Sequence, residues 1–399
     1  MMQDVLPIGF LLLVPAWLWL HYYFMPSHSS LQLNELRGTW FRVVLAVIFA
    51  ACLGRMALIY PKMLVGIFIG LALLPISSGL MYLYDAILRQ HWIFDFRWPF
   101  KTKVGGVYFV SWITLLGFGI LSYQLSSRVC SIKLNTKFYG LVFLGVLLIA
   151  IGAINFLAYH ALNGVLLFFG SAVIFILLCI KMLFNPDTQS KSIRGIFLLL
   201  ILLLSIGAFG AYWNFDKQSG HKLTHLLADA RVAIQIDREK TWQRSIAVAG
   251  QPEPINELGT AVNGSTYERL AWFTKGLSYV VENPLGLGYS HKAFNQLMAQ
   301  DYPGSIAPMT HSGWLDFTLG VGLPGLLFTW LVFLAIFRMA YRASIVDLKS
   351  PWPSVCLWML GGVWFLWFPG ELSEREYIEH LFFMLALMVT SLNQQPLTK

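Results

Sequence analysis

Long apolar runs separated by short polar connections dominate the sequence, and each run predicts a helix that crosses a membrane. A hydrocarbon core of about 30 Å requires roughly 20 helical residues, which is about the length of these runs. Their approximate bounds are 5–25, 40–60, 63–84, 104–125, 138–160, 162–184, 193–213, 311–341, 352–369 and 377–392. A long water-compatible segment, 214–310, separates the seventh run from the eighth.

This pattern predicts an all-α polytopic integral membrane protein with about 10 to 12 transmembrane helices. Ten is the minimum, because uneven runs can contain one or two further crossings. We expect residues 1–213 to form N-terminal transmembrane helices, 214–310 a large and mostly helical outer loop, and 311–399 C-terminal transmembrane helices. The first run lacks a basic leading segment and an Ala-x-Ala cleavage site, so we expect a retained span.

Composition excludes a soluble globular protein. The chain is 57% hydrophobic and 12% charged, with a mean hydropathy of +0.63, whereas soluble domains usually contain about 25% charged residues. The net charge of +8 fits a protein surrounded by anionic membrane lipids. We find no motif for nucleic acid, nucleotide or metal binding, so we expect no nucleic-acid partner, no cofactor and no metal.

Lysine and arginine in short connections indicate the orientation, because they favour the cytoplasmic side. With the N-terminus inside, the cytoplasmic connections carry Lys62, Arg128, Lys133, Lys137, Lys181, Lys191, Arg194, Arg338, Arg342 and Lys349. The opposite side carries Arg37, Arg89, Arg97, Lys101, Lys103 and Arg375. This bias predicts that both termini are cytoplasmic and that the outer loop lies on the other side.

The first half of the outer loop contains a candidate anion site. From Lys222 to Arg238, apolar residues recur every three or four positions, which predicts a helix lying on the membrane surface. Arg231 and Arg238 fall on the same flank of its apolar stripe. These arginines either bind a phosphate group or extend to the lipid headgroups without a specific ligand.

A second loop helix is predicted to start at Ser265, where a capping box would pair Ser265 with Glu268. Arg269 falls in its first turn, where the helix N-terminus and a guanidinium together attract an anion. The alternative for Arg269 is an ion pair with a loop carboxylate such as Glu282 or Glu257.

His311 is predicted to begin the next helix, close to the membrane. A helix N-terminus disfavours imidazolium, so we expect a neutral histidine that can act as a general base. The alternative is a histidine that only caps the helix. Asp316 lies about 140° around the helix and is a poor orienting partner. Residues Gly320, Gly322, Pro324 and Gly325 then predict a kinked or broken helix that opens a cavity near the site.

Three groups of residues in this region resemble a known family. They are Ser265-Thr266-Tyr267-Glu268-Arg269-Leu270-Ala271-Trp272, then Asn283-Pro284-Leu285-Gly286-Leu287-Gly288, and finally His311-Ser312-Gly313-Trp314-Leu315-Asp316 with the glycines from Gly320 to Gly325. Their order beside a large outer loop resembles the O-antigen ligase and Wzy polymerase superfamily of bacterial envelope enzymes.

The resemblance implies an inverting, metal-independent glycosyltransferase of the bacterial inner membrane with a periplasmic active site. Its donor would be a glycan on undecaprenyl diphosphate, and in a ligase its acceptor would be a sugar hydroxyl of lipid A-core in lipopolysaccharide biosynthesis. Carried over by position, His311 is the general base and Arg269 binds the diphosphate. The family's other loop arginine corresponds to Arg231 as first choice and Arg238 as second. The oligomeric state is not indicated.

A basic, tryptophan-containing connection on the outer side carries Arg89, Arg97, Lys101 and Lys103. We hypothesise that these residues hold the phosphates of the acceptor lipid. The alternative is an interfacial belt that only anchors the protein in the bilayer.

Other functions remain open. O-antigen polymerases and protein O-oligosaccharyltransferases of the same superfamily use the same donor chemistry with another acceptor. A non-enzyme alternative is a flippase or transporter for lipid-linked glycans. Transporters usually place ionisable residues near the bilayer midplane, whereas Arg231, Arg269 and His311 are predicted in or beside the outer loop. This placement favours an enzyme.

Overall fold

The computed structural model describes residues 2–92, 94, 96–126, 136–184, 191–218, 222–246, 253–346 and 350–392. Regular structure in these ranges is helical, apart from an isolated antiparallel bridge between Ile255 and Ala261. Arg128, Lys133 and Lys349, which were used to predict the orientation, lie outside the described residues.

Apart from the short α2, which lies between the first two predicted runs, the helices before the outer loop follow the predicted apolar runs. They are α1 (Met2–Phe24), α2 (Ser29–Glu35), α3 (Phe41–Ile59), α4 (Lys62–Arg89), α5 (Lys103–Ser126), α6 (Thr136–Ala158), α7 (Leu162–Leu183) and α8 (Lys191–Gln218). A π-helical turn, Leu36–Trp40, joins α2 to α3.

The outer loop and the C-terminal region are also helical. Their helices are α9 (Lys222–Ala233), α10 (Gly264–Glu282), α11 (Ala293–Asp301), α12 (Gly313–Val346), α13 (Trp352–Leu366) and α14 (Arg375–Ser391), with a 3₁₀ turn at Thr241–Gln243.

Seven stretches of the described chain are helical, long and apolar enough to cross a membrane. They are Val5–Phe24, Ser29–Ile59, Lys62–Arg89, Lys103–Gln124, Thr136–Ala158, Leu162–Leu183 and Gly313–Val346. Leu198–Gly207 and Trp352–Leu366 are shorter apolar helices. The all-α polytopic class is therefore confirmed, whereas the number of crossings stays a prediction.

The chain folds as two compact units. The first contains Met1–Cys52, Asp216–Phe333 and Trp367–Leu387, and the second contains Leu53–Phe215, Leu334–Leu366 and Met388–Lys399. The predicted division of the chain at residues 213 and 310 stays a prediction.

In the second unit, α5 is buried along most of its length. Glycines allow its neighbours to approach closely. A Cβ atom at Gly117 would lie 2.8 Å from the carbonyl oxygen of Gly145 in α6. One at Gly119 would lie 2.5 Å from the Cα of Val355 in α13. Such small-residue contacts are typical of helices packed within membranes.

In the first unit, the outer loop has a hydrophobic core of its own. Its buried members are Ala233, Trp242, Val262, Tyr267, Ala271, Trp272, Tyr279, Leu287, Tyr289, Ala293, Phe294, Met298, Ala307 and Leu319. The indole N–H of Trp272 donates to the carbonyl of Trp242 at 3.0 Å, which ties α10 to the 3₁₀ turn. The loop is thus a packed helical layer.

Helix α9 ends at Ala233, whereas the predicted helix extended to Arg238. Arg238 lies in the turn that follows. Its buried face contains Asp229, whose carboxylate accepts hydrogen bonds from Asn256 Nδ2 at 2.8 Å and from the Asn263 N–H at 3.1 Å. A buried polar anchor to the following connection therefore sets the orientation of the helix.

The predicted capping box of α10 is wrong. The N-cap is Asn263, whose side chain accepts from the Thr266 N–H at 3.2 Å. Glu268 accepts instead from Ser245 Oγ at 2.5 Å and from the Ile246 N–H at 2.7 Å. Glu268 therefore does not reach back to the helix N-terminus, because its carboxylate bonds to Ser245 and Ile246, about 20 residues earlier in the chain.

Helix α12 is interrupted at Gly322, whose φ of 70° and ψ of 176° are accessible almost only to glycine. The predicted break is confirmed, and residues 284–288 pack into it. We call these residues the docked loop. Three backbone bonds hold it: Leu287 N–H to Leu319 O (2.8 Å), Gly288 N–H to Gly320 O (2.9 Å) and Leu323 N–H to Pro284 O (2.8 Å).

Side chains from the N-terminal helices hold the docked loop and the broken helix from another side. The hydrogen bonds run from Trp17 Nε1 to Val321 O (2.8 Å), from Ser27 Oγ and Gln32 Nε2 to Leu287 O (both 2.8 Å), and between His21 Nε2 and Gly286 O (3.0 Å). Backbone groups away from water need hydrogen-bond partners within the protein, and these bonds supply partners for carbonyl groups at the break and in the docked loop.

We expect Gly322→Ala to lower the thermal unfolding midpoint of the purified protein in detergent. A Cβ atom there would lie 2.3 Å from the Leu285 carbonyl carbon, and the backbone conformation alone costs a non-glycine residue about 1–3 kcal/mol. Gly9→Ala in α1 is the control, because a Cβ atom at Gly9 meets nothing within 4 Å. Equal midpoints for the two variants would contradict the tight fit of the docked loop.

Candidate active site at the start of helix α12

His311 lies two residues before α12 rather than in its first turn, with a positive φ of 59°. The first N–H groups of α12 are bonded to the segment that precedes α14. The Gly313 N–H donates to Gly370 O at 2.7 Å, and the Trp314 N–H donates to Trp367 O at 3.2 Å. This capping brings residues 367–374 beside His311.

Glu371, in that segment, is the hydrogen-bond partner of His311. Its Oε1 atom makes a short hydrogen bond with His311 Nδ1. An ionised carboxylate only accepts hydrogen bonds, so Nδ1 carries the proton and Nε2 is left as the acceptor. The His311 and Glu371 side chains are 14% and 23% exposed, so the pair is largely shielded but reachable from solvent.

Helix α10 supplies the other two contacts of this pair. The ring of Trp272 stacks on His311 with 5.3 Å between centroids and 12° between planes. Arg269, three residues earlier, places Nη2 3.5 Å from Glu371 Oε1, and its side chain is 45% exposed. Gly276 lets the helix approach, because a Cβ atom there would lie 2.6 Å from Thr310 Cγ2.

Glu371 stays ionised despite its burial. Burial raises the pKa of its carboxyl, but the hydrogen bond from His311 and the positive charge of Arg269 outweigh that effect, so the pKa is lower than usual. The predicted partners Glu282 and Glu257 are therefore not those of Arg269. The carboxylate that pairs with it lies about a hundred residues further along the chain.

Sequence reasoning missed Glu371, although one signal was present. The orientation rule had already placed the connection around Arg375 on the same side as the outer loop. A second missed residue is Glu35, whose Oε2 accepts from the N–H groups of Ser290 at 2.7 Å and His291 at 3.3 Å. Asp316 accepts from the Thr310 N–H at 3.0 Å, which agrees with its expected lack of a role in orienting His311.

The other two candidate arginines of the loop have partners of their own. Arg231 Nη1 lies 2.6 and 2.7 Å from the two carboxylate oxygens of Glu257 on the exposed surface. Arg238 Nη1 donates to Gln235 Oε1 at 3.4 Å. Of the three predicted arginines, Arg269 is the one that the structure brings to His311 and Glu371.

The basic connection between α4 and α5 belongs to the second unit. Arg89 ends α4, with its Cζ 4.9 Å from the Phe94 ring centroid. Arg97 and Lys101 are exposed, and Lys103 begins α5. Phe94 stacks on Tyr82 and Phe96 meets Tyr82 edge-on, each with 5.4 Å between ring centroids, and these contacts order the connection. Its role in acceptor binding stays a prediction.

Comparison with known families identifies the region that carries His311 and Arg269. The sequence model of one family, described as O-antigen ligase, matches residues 146–330. The suspected resemblance is thereby confirmed, and this family indicates a glycosyltransferase-like membrane enzyme that acts on lipid-linked glycans. No curated protein matches the chain.

The family match does not extend to Glu371. Glu371 lies beyond residue 330, so its place beside His311 is a finding of the structure. Among the described residues, no group of three or more His, Cys, Asp or Glu side chains is arranged to hold a metal ion.

We expect Glu371→Gln to lower the free energy of unfolding by on the order of 1–3 kcal/mol near neutral pH, because His311 and Arg269 lose the carboxylate between them. The thermal unfolding midpoint should fall accordingly. Folding lowers the pKa of Glu371 from its usual 4.5. Its carboxylate therefore stabilises the fold above that pH, and the stabilisation is lost as the pH falls through the lowered pKa.

The measurement is the midpoint difference between wild type and Glu371→Gln, followed from neutral pH to well below 4.5. The gap should narrow as the medium becomes more acidic. Glu282→Gln, at an exposed position on α10, should show little difference at any pH. A gap that stays constant over the whole range would mean that the charge of Glu371 is not what stabilises the cluster.

Proposed function

We propose that the protein is an inverting glycosyltransferase of the O-antigen ligase type. It transfers a glycan from undecaprenyl diphosphate to a sugar hydroxyl of lipid A-core, at the periplasmic face of the bacterial inner membrane. The observation that carries the proposal is the cluster of His311, Glu371 and Arg269, which combines an oriented base with a cation. The orientation with both termini in the cytoplasm is part of the proposal.

His311 acts as the general base. Glu371 holds the proton on Nδ1, and the stacked ring of Trp272 fixes the plane of the imidazole. Nε2 then accepts the proton of the acceptor hydroxyl as its oxygen attacks the anomeric carbon from the side opposite the diphosphate. The new glycosidic bond forms as the bond between the anomeric carbon and the phosphate oxygen breaks, so the anomeric configuration inverts.

Arg269 stabilises the departing undecaprenyl diphosphate. A guanidinium has five N–H donors, and the contact with Glu371 uses only one edge of it. The half-exposed remainder is free to pair with phosphate oxygens. Since a diphosphate is a good leaving group, charge stabilisation by arginine suffices without protonation or a metal ion.

Additional contacts to substrate are assigned to the remaining predicted residues. We retain Arg231 and, as second choice, Arg238 as further diphosphate ligands, which requires Arg231 to exchange Glu257 for phosphate. We also retain Arg89, Arg97, Lys101 and Lys103 as the candidate binding residues for acceptor phosphates. These assignments rest on sequence position and charge.

We expect His311→Ala to reduce glycan transfer by roughly 100- to 10,000-fold, because it removes the general base. The assay uses purified protein in liposomes with undecaprenyl-diphosphate glycan and lipid A-core, with chelator present. His225→Ala, which changes a half-buried histidine in α9, is the control. Normal transfer by His311→Ala would refute the assigned base, and donor chains that lengthen without reaching lipid A-core would indicate a polymerase.

We expect Arg269→Lys to lower kcat/KM for the donor by roughly 10- to 100-fold, which corresponds to one lost charge-assisted hydrogen bond. Lysine keeps the charge but has no fork with which to hold Glu371 and phosphate together. Arg231→Lys and Arg238→Lys are measured in parallel. A loss of similar size in either would place that arginine at the diphosphate, whereas an unchanged Arg269→Lys would remove Arg269 from it.

A further inference from the structure

A pocket in the first unit lies beside the catalytic cluster without including it. Its volume is about 260 Å³. The walls come from the start of α11, from residues 306–309 and from the segment that precedes α14. The proposed chemistry of His311 does not use this pocket.

The pocket shares its walls with the two segments that carry the base and its partner. Met309 lines it two residues before His311, and Ser373 lines it two residues after Glu371. Two extended residues span at most about 7 Å. The pocket is therefore close enough to hold a group directly attached to one that reacts at His311.

The pocket offers both hydrogen-bond acceptors and donors. Asp316 is 3% exposed, and the half-buried Glu374 adds a second carboxyl. Ser290 is also buried, while His291 and Lys292 are exposed and form the outer rim. The carboxyls accept hydrogen bonds from ligand hydroxyls, and the rim donates to ligand oxygens.

The charge balance distinguishes this pocket from a phosphate site. The two carboxyl groups inside it offer an anion no positive charge, and Arg269, the proposed diphosphate ligand, is not among its lining residues. Partial burial and the neighbouring charges of Lys292 and Arg375 lower the pKa of His291. A neutral imidazole both donates and accepts, which suits a hydroxyl group better than an anion.

Size and apolar lining narrow the ligand further. Phe294, Pro308 and Met309 add apolar surface to the same walls, so a ligand with an apolar face and several hydroxyls fits. Pockets for drug-sized ligands measure about 300–1,000 Å³, and 260 Å³ falls just below that range. The space suits a single ring, with the rest of a chain leaving past the exposed rim.

We propose that this pocket is a sugar subsite, which holds one sugar residue of a glycan substrate next to the residue that reacts at His311. The inference rests on the proposed function and extends it to substrate recognition. Its chemistry fits a sugar of the acceptor or of the donor glycan, and kinetics with each substrate distinguish the two.

The first test fills the pocket from its rim. Ile306 lines the pocket and is 54% exposed, so Ile306→Trp places an indole at the entrance without disturbing the core. Leu258→Trp adds the same ring at a position that is 57% exposed and does not line the pocket. We expect Ile306→Trp to raise the KM for one substrate about tenfold or more, with wild-type behaviour in Leu258→Trp.

The second test removes one polar group while conserving volume. Glu374→Gln changes a carboxyl of the pocket, and Glu376→Gln changes an exposed carboxyl in the first turn of α14 that does not line it. We expect the same KM to rise in Glu374→Gln and neither KM to change in Glu376→Gln. Thermal midpoints of all four variants should match the wild type.

The substrate whose KM rises identifies the sugar: a higher KM for lipid A-core assigns the acceptor, and a higher KM for the lipid diphosphate glycan assigns the donor. Either result supports the subsite. Unchanged KM values for both substrates in Ile306→Trp and Glu374→Gln, with an active wild type, would overturn it.

A binding measurement separates this inference from the proposed function. The probe is core oligosaccharide released from its lipid, titrated calorimetrically into the wild type, Ile306→Trp and Leu258→Trp, and the glycan released from the donor is titrated likewise. Binding that is lost only in Ile306→Trp supports the subsite even if no transfer is detected. Absence of transfer by the wild type would count against the proposed function, and equal binding by all three proteins would count against the subsite.

Discussion

The candidate active site depends on one constraint, which is the packing of the docked loop into the break of helix α12. The docked loop, residues 284–288, supplies hydrogen-bond partners for groups that the break at Gly322 would otherwise leave unpaired. It connects the end of α10 to the start of α11, while the helix it enters begins just after His311. Both helix α10, with Arg269, and the wall of the pocket are therefore fixed relative to the histidine by a contact between backbones.

One carboxylate then organises the chemistry around that frame. Glu371 contacts both His311 and Arg269, so it sets the tautomer of the imidazole and holds one edge of the guanidinium. Because its pKa is lowered by these partners despite burial, the cluster keeps an ionised carboxylate in contact with both groups. In the proposed reaction this arrangement leaves Nε2 for the acceptor and the outer edge of the guanidinium for the diphosphate.

Local pattern predicted some of these features and failed at others for identifiable reasons. The helix that carries Arg269 and the break near Gly322 were predicted, because periodicity and glycine placement are local properties. The capping box was wrong because Glu268 bonds to residues of a distant turn. Glu371 could not be found from local pattern, because it lies 60 residues after His311 in the sequence. The two residues meet because the segment that contains Glu371 caps the N-terminus of α12.

Hydropathy by itself determined the all-α polytopic class, since apolar length and charge decide which segments can enter a bilayer. Residue type and helix position also singled out His311 and Arg269. Only the tertiary structure decided that Arg269, and neither Arg231 nor Arg238, contacts Glu371, which also bonds His311. The physical reason is that such pairings depend on how remote segments cap and fill one another, which no local periodicity specifies.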